Sequence, residues 1–295
     1  MSTFWIILTG ALVASACGIV GCFLVLRRMA LVGDAISHSV LPGIVIAFLI
    51  SGSRDSLAMM LGAAAIGLVT VFLIQWFHQS GVQSDASIGV VFTALFAVGV
   101  VLVSLYTRHI DLDLDCVLYG EIAYVPWNTI ELAGIDIGPK AVWGVGIALA
   151  LILALLFLFY KQFKICSFDP AMAAAVGIPV ALFHYLLMGL VSVTTVASFE
   201  SVGAILVVGM LVVPPATAYL LTEKLGRMIA YSVAIGCASS VLGYGLASLL
   251  DASIAGCMIA VAGGLFLVAL LFSPSHGVIF RKLRQKRMIR HRTAS

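Results

Sequence analysis

The sequence predicts an all-α, polytopic membrane protein with about nine spanning helices. Three observations predict it: an apolar excess, runs of bilayer-crossing length, and basic residues gathered on alternate connections. Of 295 residues, 62% are hydrophobic and 10% charged, and the mean hydropathy is +1.18. A soluble domain carries roughly 25% charged residues, and a chain of this size cannot bury so much apolar surface within itself. Lipid is the solvent that remains.

Runs long enough to cross a bilayer fall at about 3–26, 31–50, 56–77, 86–106, 141–160, 181–198, 202–221, 229–249 and 254–272. The first lacks a basic leader region and is too long for a signal core, so it reads as a span. Arg27 and Arg28 close it. The second carries Asp34 and His38 and ends at Arg54 and Asp55. The third ends in the polar run His78 to Asp85, where Asp85 suits the N-terminus of the fourth helix.

Segment 107–140 holds Asp111, Asp113, Asp115, Glu121, Glu131 and Asp136. It is too long and acidic for a plain turn and reads as an external gating or docking surface, with Asp113, Asp115 and Glu121 as its candidates. The fifth span gives way to segment 161–180. There Asp169 can cap a short helix whose first residue is Pro170, and Gly177 and Pro179 stop it. Such a helix lies on the surface, where a partner could grip it. Glu200 falls at the outer end of the sixth and seventh spans, as a ligand at a pathway mouth or as a helix-cap carboxylate. Pro214-Pro215 is expected to break the seventh helix beside a cavity. One short re-entrant segment, leaving eight spans, is the alternative.

Counting Lys and Arg on alternate sides places thirteen on one side (27–28, 161–164, 224–227 and the tail) and three on the other (Arg54, Arg108, Lys140). The positive-inside rule makes the first side cytoplasmic, with the N-terminus outside and the C-terminus inside. The chain then divides into a permease region, 1–275, and a basic cytoplasmic tail, 276–295. The tail's seven basic residues read as a topology anchor and a contact for anionic membrane lipid, not for nucleic acid. The six cysteines form no CxxC pair. Five sit in or beside apolar runs, where they act as small hydrophobes; Cys116 stands in the polar loop.

Ionisable residues inside apolar spans are costly and mark function by default. Asp34 and His38 are four apart, so on a helix they share a face. Counted from Arg28, they lie about 9 Å and about 15 Å deep, which brings His38 near the middle of a hydrocarbon core roughly 30 Å thick. Carboxylate plus imidazole suits Mn²⁺, Fe²⁺ or Zn²⁺; the same spacing also suits a hydrogen bond that holds two helices together. Pro42, four residues beyond His38, frees a backbone carbonyl. No phosphate loop, HExxH or GxSxG is present, so any ATP is bound by a partner, and an intramembrane metallohydrolase lacks its motif.

LRRMALVGDAISHSVLPGIVIAF resembles the signature region of the ABC-3 family of metal-ion importer permeases. FDPAMAAAVGIPVALFHYLL is similar to that family's coupling loop, SVGAILVVGMLVVPPATAYLLT to its second-half segment, and DLDLDCVLYGEIAYVPW to the external segment of its manganese-type branch. The resemblance covers about 3–275. It implies a vitamin B12-importer-like (type II) fold, shortened by one N-terminal span, in the bacterial cytoplasmic membrane. It also implies a second permease chain, two cytoplasmic ABC ATPases and an extracytoplasmic metal-binding protein. Asp34 and His38 match the family's intramembrane pair; Glu200, from its own position in the sequence, is a further metal candidate. The coupling residues carry over to Phe168, Asp169, Pro170, Ala174 and Gly177. No cofactor is held permanently; the implied cargo is Mn²⁺, with Zn²⁺ or Fe²⁺ as other options. A proton-coupled secondary metal transporter would use Asp34 and His38 equally well, but leaves the 169–177 helix without a role.

Overall fold

The computed structural model describes residues 2–51, 56–106, 122–132 and 135–273. Asp113, Asp115, Glu121, Cys116 and the tail 276–295 lie outside these residues. Among the described residues nine helical stretches are long and apolar enough to span a bilayer, in the expected order.

The bundle is built around α1 (Ser2–Leu26), which is apolar on every side. Of its spanning window 72% is buried, against 17% for α5 (Ser84–Tyr106), so α1 is central and α5 peripheral. Small residues let its neighbours approach closely, as in membrane helix pairs generally. Ser232 of α9 (Leu225–Leu250) donates from Oγ to the Gly18 carbonyl at 3.1 Å. A Cβ at Gly236, on the same face of α9, would sit 2.8 Å from that of Ala14. α1 packs against α6 (Lys140–Phe168), α8 (Val180–Leu221) and α9, and α10 (Ile254–Phe272) closes this group against α8 and α9. On the other flank α2 (Leu31–Ser39), α3 (Leu41–Ser51), α4 (Ser56–Gln79) and α5 pack together. α8 touches both groups.

The expected break at Pro214-Pro215 does not occur: the helix runs through both prolines to Leu221. Pro215 leaves the Leu211 carbonyl without its amide partner, and Gly21 of α1 abuts that oxygen so closely that a Cβ there would collide with it. A neighbouring helix covers the freed group, which is how membrane helices tolerate internal proline. The real interruption of α8 is Gly203, at φ 79° and ψ 166°, a conformation essentially restricted to glycine. It falls at the start of the seventh span, Ser201–Leu221. A second interruption parts α2 from α3 at Val40, just before Pro42.

α6 extends past its expected end at 160, bending at Phe159 and continuing to Phe168. The short helix α7 (Pro170–Ala175) follows as expected: the Asp169 carboxylate accepts the Met172 amide at 2.9 Å, and Gly177 stops it at φ 83°. At the opposite end of α6, part of the acidic segment is ordered in a way the sequence did not suggest. A 3₁₀ turn (Ile122–Trp127) leads into an antiparallel hairpin, β1 (Thr129–Leu132) and β2 (Ile135–Pro139), with Glu131 opposite Asp136. The turn caps the start of α1, and Gly138 of β2 fits against the Trp5 ring.

Candidate functional site

α2 is wedged between α4, α5 and α8, and this decides which of its side chains stay accessible. Val32, Gly33, Ala35, Ile36, Ser37 and Ser39 are buried. Asp34 and His38 are not: their side chains are 43% and 33% exposed. They share one open flank with Leu31, the 31–34–38 spacing of a helix seam. The sequence-level pair is therefore brought together, with His38 Nε2 3.5 Å from Asp34 Oδ1.

Close backbone approach holds α2 in place. A Cβ at Gly99 of α5 would lie 2.8 Å from Pro42 Cδ and 3.1 Å from Leu41 Cβ, so only glycine lets α5 press on the α2–α3 junction. Ser39 Oγ and Thr70 Oγ1 share a 2.7 Å hydrogen bond that ties α2 to α4. The His38 ring stands beside Phe92 and Phe96, each with its centroid 6.1 Å away. These two phenylalanines, one turn apart on α5, are part of the site that sequence reasoning missed; in so apolar a span no local signal marks them.

Two metal bonds of roughly 2.1 Å at the tetrahedral angle put their donor atoms about 3.5 Å apart, so the observed separation can be bridged by one ion. Among the described residues no third His, Cys, Asp or Glu joins the pair. Glu200 lies on α8 three residues before the Gly203 interruption; its side chain is outside the described set. Pro42 has no amide proton to offer the His38 carbonyl one turn before it.

The coupling candidates gather at the far end of α6. Phe168, Asp169, Pro170, Ala174 and Gly177 are all exposed. α7 is anchored by Ala173 alone, which is fully buried. Phe168 at the end of α6, Met172 on α7 and Val176 just past it are 53%, 61% and 67% exposed. Met172 and Val176 were not singled out from sequence, because apolar side chains in so apolar a chain give no local sign of their exposure.

A bundle in which nine helices, among the described residues, are long and apolar enough to cross a bilayer is that of a polytopic membrane protein. The chain belongs to the ABC 3 transport family, whose model matches residues 2–273. It is 57% identical over 288 residues to the manganese transport system membrane protein MntD of Bacillus subtilis, covering 98% of both chains. It is 42% identical to the zinc transport system membrane protein TroD of Treponema pallidum, covering 95% of this chain and 77% of that one. Among solved structures, PsaBC from Streptococcus pneumoniae in complex with Fab superposes with a TM-score of 0.78 at 33% identity, covering 96% and 94% of the two chains. The chain is thus a multi-pass membrane permease with the architecture of that family.

Proposed function

We propose that this chain is the membrane-spanning subunit of an ATP-driven importer of divalent metal ions, with Mn²⁺ as the first candidate and Zn²⁺ or Fe²⁺ as others. The observation that carries the proposal is the Asp34–His38 pair, 3.5 Å apart on an open flank of α2. It is an oxygen–nitrogen donor set for a borderline divalent ion, and relatives named for manganese and zinc transport agree with it. Two protein ligands bind weakly, as a conduit requires if ions are to leave again. A second permease chain, identical or related, set against the 31–34–38 seam would bring its own pair and close the coordination shell.

The exposed apolar side chains of Phe168, Met172 and Val176 give a separate cytoplasmic ABC ATPase something to hold, so α7 transmits its motion into α6 and α8. The acidic sequence that carries Asp113, Asp115 and Glu121 receives a metal-binding protein from outside. The charge bias of the connections supports that orientation. ATP binding and hydrolysis in the partner then expose the Asp34/His38 region to alternate sides. α7 favours this reading over a proton-coupled carrier, in which that helix would serve nothing.

The test is uptake of radioactive manganese in cells lacking the native system, with zinc and iron as competitors. His38→Ala is expected to abolish uptake while the chain still co-purifies with its ATPase. Normal uptake by the variant would remove Asp34 and His38 from the pathway.

A further inference from the structure

A second polar site lies at the α7 end of the bundle. α1 ends at Leu26, and Arg28 turns the backbone through a left-handed conformation, φ 58°. Arg27 folds back among the helix ends, half-buried, while Arg28 is exposed. Both line a cavity of about 530 Å³ with Gln75 and Gln79 of α4, Ser167 of α6 and His184 of α8. That is within the usual range for a small-ligand pocket.

The hydrogen bonds inside it are incomplete in a particular way. Arg27 Nε donates to Ser167 Oγ at 3.1 Å, and Arg27 Nη1 donates to His184 Nδ1 at 3.3 Å. Arginine only donates, so Nδ1 must accept, and the neutral imidazole then carries its proton on Nε2. Arg27 Nη2 and His184 Nε2 are both buried and have no hydrogen-bond partner among the described residues. Two N–H donors are therefore left without acceptors, at a cost of roughly 1–3 kcal/mol each.

Charge is also unbalanced. Among the described residues no carboxylate lines this cavity. Asp169 is turned away to cap α7, and Glu223 lines a neighbouring cavity that only Arg28 shares among the two arginines. Burial lowers the affinity of Arg27 for its proton, but a guanidinium stays charged, and a desolvated charge needs a counter-charge. Water could satisfy the donors but not the charge.

We propose that this cavity binds a phosphate-bearing anion, held by Arg27 with His184 Nε2–H as a second donor. The guanidinium fork matches phosphate oxygens two at a time. The surface of α4 indicates the source. Phe72, Gln75, Trp76 and Gln79 fall on one helical face, with both aromatic side chains largely exposed and both glutamines in the cavity. Gln79 stands at the helix end, Trp76 and Gln75 lie about one turn deeper and Phe72 about two; this face suits a phospholipid, headgroup in the cavity and acyl chains along α4. Tyr185, also in the lining, is a residue type that favours the interface. The inference concerns a site separate from Asp34 and His38 and does not depend on the transported ion.

The test uses the purified full-length transporter complex, stripped of lipid, then titrated with phosphatidylglycerol, phosphatidylcholine or inorganic phosphate and followed by native mass spectrometry and thermal unfolding. The complex is expected to retain phosphatidylglycerol, with Arg27→Gln lowering its occupancy about tenfold and Arg27→Lys less. Lys161→Gln, a basic change at a different cavity, is expected to leave it unchanged. Should Arg27→Gln fail to fold, Gln75→Leu with Gln79→Leu is expected to cut lipid occupancy several-fold with Arg27 in place. Stabilisation by inorganic phosphate that is lost in Arg27→Gln would uphold the site with free anion as its occupant. Equal lipid retention by the wild type and Arg27→Gln overturns the proposal. So does binding of neither phosphate source, or loss of the ATPase subunit from Arg27→Gln with lipid and phosphate binding intact.

Discussion

His38 stands against the edges and faces of Phe92 and Phe96, while its Nε2 looks toward Asp34. The phenylalanines flank the ring with centroids 6.1 Å away, so truncating one would leave the imidazole freer to turn from the carboxylate. Phe96→Ala is expected to raise the half-saturating metal concentration for uptake about tenfold, the lower end of what loss of a ligand's supporting groups costs. The maximal rate should hold. An unchanged half-saturating concentration in transport assays would show that the ring needs no such support. At this scale Asp34 and His38 were legible because an ionisable pair stands out against an apolar span. Phe92 and Phe96 were not, since aromatic residues in a lipid-facing helix are ordinary and their role exists only once α5 meets α2. The same holds for Gly99, whose missing side chain matters only because Pro42 is opposite.

α7 is the element most completely written into local sequence. An acidic cap, a proline at the first helical position and a glycine beyond the last turn fix its start and stop within ten residues, with no help from distant packing. Removing the cap with Asp169→Ala is expected to cost the helix about 1 kcal/mol. Metal uptake should fall and ATP hydrolysis by the partner should become less responsive to metal, while metal binding at Asp34 and His38 persists. Paired measurements of uptake and ATPase rate check this; full coupling in the variant would show that α7 tolerates fraying. α8 teaches the opposite lesson. Two adjacent prolines look like a break in sequence, yet α1 covers the carbonyl that Pro215 exposes, and the helix continues. The break falls at Gly203 because of a backbone conformation that composition does not reveal. The β1–β2 hairpin was equally hidden: its strands are too short for alternation to be readable beside so many acidic residues.

For the whole molecule, the spans followed from hydropathy, because the bilayer imposes that rule on every segment alike. How the helices are grouped did not follow, because the small residues of α1 are read only by the helices that lie on them. The proposed orientation is open to a direct check. In a cysteine-free background, Ala252→Cys in the α9–α10 connection is expected to react with an impermeant maleimide added to intact cells, and Glu223→Cys only after permeabilisation; the reverse pattern would invert the protein in the membrane. The open seam of α2 also bears on biosynthesis. In the proposed assembly a second chain covers it; until then a freshly inserted copy would hold Asp34 against lipid, where an ionisable side chain is costly. Such a penalty would shorten the lifetime of solitary copies, since proteases remove whatever opens most readily. The cell's ratio of subunits would then be corrected after synthesis, by survival of the paired and loss of the orphaned.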